Sequence, residues 1–278
     1  MSDLKKAYLH CESIIKKHSK TFYKAFMLLP TEKKHAVWAV YAFCRQVDDI
    51  VDEGKNPKEE LQAFKHDFAA FLQGRTPSLD PMWLALQDVF KTYEMDVQAF
   101  HDMITGQEMD LYKKHYYTEQ EVLEYSYYVA SSVGLMLLPI LAPKNKEALR
   151  HDAIALGQAM QITNILRDIG EDLERGRIYM PIQKLEEAGY SVQDLSSHVI
   201  NKNFIATWEE MARKAEELYE QALGSIHLYP LHSRTPLKGA AYLYRAILNS
   251  IRKKGYAVFK TKHFVTNEEK QEIIAKIM

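Results

Sequence analysis

Asp48 and Asp52 stand four residues apart. Asp168 and Asp172 do the same, with Asn164 four residues earlier and Gln161 three before that. On an α-helix, residues at this spacing share a face, about 5–6 Å apart between Cβ atoms. Two carboxylates held so close repel, and burial raises the cost unless a cation or a donor compensates them. Both neighbourhoods are apolar: Ala36 to Cys44 reads AVWAVYAFC, and Gly157, Ala159, Ile162, Ile165, Leu166 and Ile169 fill much of the second segment. One such pair is ordinarily a solvated face. Two pairs, each in an apolar helix and each beside an arginine (Arg45, Arg167), point into a polar cavity instead.

The donor set defines the chemistry. Neither cluster contains a histidine or cysteines at ligand spacing, which disfavours zinc and iron. Oxygen donors suit Mg²⁺, which keeps some of its water and shares its coordination between carboxylates and substrate phosphates. Asp48, Asp49 and Asp52 lack the alternating acidic spacing of an EF-hand loop. The implied ligand is a phosphate or diphosphate ester, for which Arg45, Arg167, Arg175, Arg177 and Lys20 offer charge-assisted hydrogen bonds.

Aromatic residues gather near the same segments: Phe22, Phe26, Tyr41, Phe43, Tyr125, Tyr127, Tyr128, Tyr242 and Tyr244. Core packing accounts for any one of them. Together they suit the lining of a tunnel. If an allylic diphosphate ionises there, aromatic faces stabilise the carbocation without quenching it, provided that water is kept out. The small residues Ala130, Ser131, Ser132 and Gly134 would leave room for a hydrocarbon chain between helices.

Helices must position these groups, because helical punctuation recurs along the chain while strand alternation and Asn-Gly hairpin signals do not. Asn56-Pro57 and Asp80-Pro81 each put a capping side chain before a proline at the first helical position. Thr118 with Glu121, and Thr266 with Glu269, have capping-box spacing. Gly54, Gly74, Gly176 and Gly255 fall at expected helix ends in left-handed conformation. The expected helices are 3–18, 31–53, 57–73, 81–93, 96–113, 118–142, 146–175, 200–227, 236–254 and 266–277. The stretch SRTPLKGA, 233–240, reads as the best hinge. An all-α single domain, 1–278, is expected, with a multi-helix bundle around one cavity.

Composition sets the outer bounds. The chain has 278 residues, 47% hydrophobic and 26% charged, enough for one large core. A net charge of −1 provides no bulk basic field, so nucleic acid is not an expected partner. Two cysteines, Cys11 and Cys44, without a C-x-x-C pair or a secretory leader, suggest a reduced cytoplasmic setting and core-filling thiols. The longest apolar run, Val133 to Ala142, is broken by Pro139 and falls short of the roughly 18 residues of a membrane span.

The stretches HSKTF, AVWAVYAFCRQVDDIVDE, GQEMDL, NILRDIGEDLERGRIYMP and YRAILNSIRKKGYAVF, in that order, resemble the signatures of the squalene, phytoene and dehydrosqualene synthase family, most of all its short bacterial members. The R-x-Y-x-P extension (Arg177, Tyr179, Pro181) makes the likeness specific. It implies the all-α isoprenoid synthase fold, Mg²⁺ dependence, and head-to-head joining of two farnesyl or geranylgeranyl diphosphates through a cyclopropylcarbinyl diphosphate. It implies further that Asp48, Asp52, Asn164, Asp168 and Asp172 hold Mg²⁺. Ser19, Lys20, Arg45, Gln161 and Arg167 would then hold diphosphate or its metal shell, and Phe22, Phe26, Tyr41, Tyr125 and Tyr244 would line the cation site, with Arg45 and Tyr125 counted among the catalytic groups. NADPH serves family members that make squalene. A hydrocarbon product implies peripheral membrane contact at release.

One departure stands out. The family usually reads V-A-G-x-V-G where this chain reads VASSVG, so Ser131 replaces a glycine. A hydroxyl there would order water or crowd a second prenyl chain, which keeps hydrolysis of farnesyl diphosphate to farnesol as an alternative. Two other readings are weaker. The dipeptides His66-Asp67, His101-Asp102 and His151-Asp152 resemble elements of helical phosphohydrolases, and a non-catalytic helical binding protein would need no carboxylate chemistry at all.

Overall fold

The computed structural model describes residues 2–75 and 80–277. Its helices, in chain order, are α1 (Asp3–His18), α2 (Lys20–Phe26), α3 (Thr31–Glu53), α4 (Pro57–Leu72), α5 (Pro81–Thr92), α6 (Val97–Tyr112), α7 (Glu119–Ser126), α8 (Ser132–Leu141), α9 (Lys146–Arg167), α10 (Ile169–Glu174), α11 (Ile182–Glu187), α12 (Val192–Ser196), α13 (Lys202–Gly224), α14 (Leu231–Lys253) and α15 (Asn267–Ile277). Among the described residues the β content is one isolated parallel bridge, His115 to Ile178.

Two apolar clusters fill the bundle. The first joins α1, α3, α4, α5, α6 and α8, and its centre is Phe43, which meets Phe64, Phe68 and Phe100 at ring-centroid distances of 5.0–5.2 Å. The second joins α9 to α13 and α14. Helix α9 packs on α8, α13 and α14, so the second acidic stripe sits on a central element.

Several start and stop signals act as expected. Asp80 accepts from the Met82 amide at 2.8 Å. Thr118 and Glu121 form a reciprocal capping box, and Thr266 and Glu269 exchange the same pair of bonds. Gly74, Gly176 and Gly255 have positive φ. Gly54 does not: its φ is −63°, and glycine is required there because a Cβ would meet the Ile50 carbonyl oxygen at 2.3 Å. Asn56 caps nothing with its side chain; its amide instead donates to Glu60 at 2.9 Å.

Other expectations need correction. The hinge at 233–240 lies inside α14, where Ser233, Pro236, Leu237, Gly239 and Ala240 are buried. Helices α2, α11 and α12 are too short for their periodicity to register in the sequence. The expected helix 118–142 contains a π-helical turn, Tyr127–Ser131, between α7 and α8. That wider turn is gripped from both sides by glycines. A Cβ on Gly106 of α6 would come within 2.8 Å of the Tyr128 carbonyl carbon, and one on Gly157 of α9 within 2.4 Å of Ser131 Cα.

The expected helix 146–175 breaks at Asp168, whose φ and ψ are −106° and 17°. Tertiary partners cause the break. The Leu166 carbonyl, which an unbroken helix would give to Gly170, accepts from the Trp208 indole at 3.1 Å. The Gly170 amide turns to the Val258 carbonyl at 3.3 Å. Only glycine permits that approach, since a Cβ would meet the Phe259 carbonyl oxygen at 2.0 Å.

Candidate active site

A cavity of about 310 Å³ lies between α2, α3, α6, α8, α9 and α14, mostly apolar, with Arg45, Asp48, Gln161 and Asn164 at its polar rim. The rim has a simple origin. Helix α3 buries every residue from Ala36 through Phe43 except Tyr41 and then turns polar in its last two turns. Arg45 donates to Asp48 at 2.8 Å and also contacts Asp49.

Opposite, Asn164 donates its amide to Gln161 at 3.2 Å. Arg167 forks onto the Asp168 carboxylate at 2.8 and 2.5 Å. Because the amide of Asp168 still donates to Asn164 O and that of Asp172 to Asp168 O, both at 2.9 Å, the fourfold spacing survives the helix break.

The segment after α10 ties the two clusters together. Ile178 exchanges backbone hydrogen bonds with Lys114 and Tyr116 at 2.8 and 3.1 Å, which extends the chain there and sends alternate side chains the same way. Arg177 reaches Asp52 at 2.9 Å, and Arg175 pairs with the same carboxylate. Tyr179 donates to Asp110 at 2.7 Å. Thus the R-x-Y spacing is a two-residue strand period. Pro181 then serves as the residue before α11.

Asp110 is the group that sequence reasoning missed. It is buried on α6 and accepts from the Tyr125 hydroxyl at 2.9 Å as well as from Tyr179. Burial pushes its carboxyl above the ordinary range, while Arg177 and both phenols oppose that shift. The signal in the sequence is GQEMDL, whose aspartate follows Gln107 by one helical turn. Gln107, one turn earlier, lines the cavity.

Electrostatics mark the site as cation-seeking. Burial raises the Asp48 carboxyl to about 6; Arg45 opposes this, and the charges of Asp52, Asp49 and Asp110 add to it. Burial and the neighbouring Asp168 raise Asp172 to about 8, with Arg177 only partly offsetting them. The side-chain oxygen of Asn164, Oδ1, is buried without a hydrogen-bond partner. Asp172, which has no ion pair among the described residues, and the orphaned Asn164 Oδ1 are oxygen donors that fit Mg²⁺, while Asp48, Asp52 and Asp168 are paired with Arg45, with Arg175 and Arg177, and with Arg167 in this structure. Among the described residues, no three histidine, cysteine, aspartate or glutamate side chains converge as a ready-made cage. The donors therefore suit ions that complete their shell with phosphate oxygens and water.

The apolar half is narrower in membership than expected. Phe22, Phe26, Tyr41 and Tyr244 line the cavity, and Phe22 stacks on Phe26 and Tyr244 at 5.9 and 5.1 Å. Tyr125 does not line it: the ring is buried against Tyr116 and Tyr179 at 5.0 and 4.9 Å. Its expected place at the cation site is corrected to a partner of Asp110. Phe43 belongs to the core, Tyr127 donates to Asp102 at 2.8 Å, and Tyr242 is exposed. Ser19 caps α2 through the Phe22 amide at 3.4 Å, while Lys20 is exposed and outside the lining. Arg167 is also outside it, engaged with Asp168. Cys44 lines the cavity and is thus more than core filling; burial holds its thiol up at about 12.

Ser131 is likewise corrected. Its side chain is fully buried, and its hydroxyl donates to the Ile154 carbonyl on α9 at 2.7 Å, away from the cavity that Ala130 and Gly134 line. Ser132 donates to Tyr128 O in the preceding π-helical turn at 2.5 Å. The histidines of the rival motifs are also placed elsewhere: His101 packs on Phe68 at 5.2 Å, and His151 is exposed. Among the described residues, no helix is long and apolar enough to cross a membrane.

Comparison with known proteins agrees with this geometry. A family model described as squalene/phytoene synthase matches residues 15–269. The 15-cis-phytoene synthase of Synechocystis is 36% identical over 97% of this chain and 83% of its own. The 4,4'-diapophytoene synthase of Staphylococcus haemolyticus is 36% identical over 98% of this chain and 96% of its own. A crystal structure of a dehydrosqualene synthase with bound ligand superposes with a TM-score of 0.94 at 40% identity, covering 99% of this chain and 96% of that one.

Proposed function

This chain belongs to the squalene/phytoene synthase family, and from that premise we propose that its cavity joins two prenyl diphosphates head to head through a cyclopropylcarbinyl diphosphate. The observation that carries this reading is one apolar cavity with Asp48, Arg45, Gln161 and Asn164 at its polar rim. An apolar tail and a polyanionic head find their partners in the same space. Farnesyl diphosphate is the substrate favoured by the 40% identity to a dehydrosqualene synthase. Geranylgeranyl diphosphate is the second reading, favoured by the 36% identity to a phytoene synthase.

Asp48, Asp52, Asn164, Asp168 and Asp172 would hold Mg²⁺, whose charge, when it is bound, favours departure of diphosphate. Arg45 and Gln161 lie where phosphate oxygens can be met, and Arg175 and Arg177 hold Asp52 for that task. Ser19 and Lys20, at the start of α2, would meet diphosphate or its metal shell. Phe22, Phe26, Tyr41 and Tyr244 present aromatic faces whose π electrons stabilise an allylic cation. Tyr125 and Tyr179 act one step removed, by fixing Asp110. With the Ser131 hydroxyl committed to Ile154, the sequence argument for hydrolysis to farnesol loses its basis.

Incubation of the purified chain with MgCl₂ and labelled farnesyl or geranylgeranyl diphosphate, with and without NADPH, tests this. Dehydrosqualene from the C15 substrate without NADPH is the expected product. Farnesol alone would establish hydrolysis, and undiminished turnover in EDTA would sink the metal assignment.

A further inference from the structure

Three chain reversals meet at the end of the cavity remote from the carboxylates. Helix α8 ends there, and its last carbonyls need donors from elsewhere. Lys33, in the first turn of α3, donates to Ile140 O at 2.5 Å. Ser233, in the first turn of α14, donates to Leu141 O at 2.8 Å. The starts of α3 and α14 are therefore side by side, each behind a proline, Pro30 and Pro230. From inside, Phe26, Leu141, Tyr229 and Leu237 close this end of the cavity.

The outer side of the same reversals is apolar and bare. Leu231 is 77% exposed and Leu28 55%, with Met27 beside them at 38%. Scattered exposed leucines are ordinary, but a group over the closed apolar end of a cavity is not. Charge frames the group. Of the basic residues in the stretches 28–34 and 231–238, Lys33 donates to Ile140 O and Arg234 to the Tyr229 and His227 carbonyls, which leaves Lys34 and Lys238 against the single acid Glu32, in a chain whose net charge is −1. Lys144, just past α8, is also exposed. Long basic side chains around exposed leucines suit an interface where stems lie along acyl chains and ammonium groups meet phosphate.

We propose that this end of the bundle docks on a membrane surface containing anionic lipid, inserting Leu28 and Leu231 and setting the apolar end of the cavity against the bilayer. The choice of a bilayer as occupant rests on the condensation reading above, since a C30 or C40 hydrocarbon leaves an enzyme for lipid, not water. Basic residues near a surface each add attraction to anionic headgroups that salt screens, so binding should weaken as ionic strength rises.

Vesicle co-sedimentation of the full chain, without substrate, tests the surface alone. Vesicles of phosphatidylcholine with phosphatidylglycerol should bind wild type at least ~10-fold better than phosphatidylcholine alone, and L28E/L231E should lose that binding by a similar factor. K34E/K144E should lose the anionic preference while keeping residual affinity for neutral vesicles. Detergent-solubilised turnover should stay unchanged in both variants, which shows them folded and tests the condensation reading separately. Equal binding by wild type and L28E/L231E, or no binding by wild type, would overturn the proposal. So would sedimentation velocity that reveals a dimer lost in L28E/L231E without vesicle binding, because a second copy would then be the occupant.

Discussion

At the residue scale, the carboxylates carry the clearest expectations. Asp48→Ala, Asp52→Ala, Asp168→Ala and Asp172→Ala should each lower kcat at least ~100-fold, since each removes a carboxylate proposed to hold Mg²⁺; steady-state rates that stay near wild type in two of the four would refute the site. Their ionisation also gives a signed pH effect. Asp48 and Asp172 are raised to about 6 and about 8 in the folded chain, above their unfolded values. Their contribution to stability is therefore full below the unfolded value and lost as pH rises through 6 and 8. Metal-free protein should melt at lower temperature at pH 8.5 than at pH 6, and MgCl₂ should restore more stability at the higher pH, as read by paired melts. A magnesium increment independent of pH would contradict this. Tyr179→Phe strips one donor from buried Asp110 and should cost about 1–3 kcal/mol in chemical denaturation. Ser131→Gly loses one hydrogen bond and adds helix-interior glycine, about 1–2 kcal/mol together, with no change in product distribution on chromatography.

At the element scale, two glycine notches and one helix break do the positioning. The π-helical turn before α8 sets Val129 and Ala130 against the cavity, and the approach of α9 at Gly157 holds it there. Gly157→Ala must push Ser131 backbone away and should destabilise by about 1–3 kcal/mol, measured as a shift in denaturation midpoint at constant slope. The break at Asp168 was not legible from the repeat of four, because nothing local interrupts it. Its causes are Trp208 and Val258, which come from distant chain and compete for one carbonyl and one amide. By contrast, the termini of α1, α3, α5 and α6 were legible to within one or two residues, since caps and prolines act through neighbours in sequence.

At the scale of the whole molecule, the cavity has two unlike ends: a rim of carboxylates and guanidiniums, and an apolar floor behind three chain reversals. Diphosphate is proposed to bind at the first, and hydrocarbon to leave near the second. By itself the sequence determined the all-α class, the family and the two acidic pairs with their arginines, because helical period and fixed spacing are local properties that survive without coordinates. Only the tertiary structure decided which aromatic residues face the cavity. It moved Tyr125 from the cation site to Asp110 and turned Ser131 toward Ile154, revealed Asp110 as the acceptor for two tyrosines, and paired Arg175 and Arg177 with Asp52 across more than a hundred residues. The physical reason is that a side chain's direction and its counter-charge are set by whichever helix packs opposite, and no spacing along one strand of sequence records that choice.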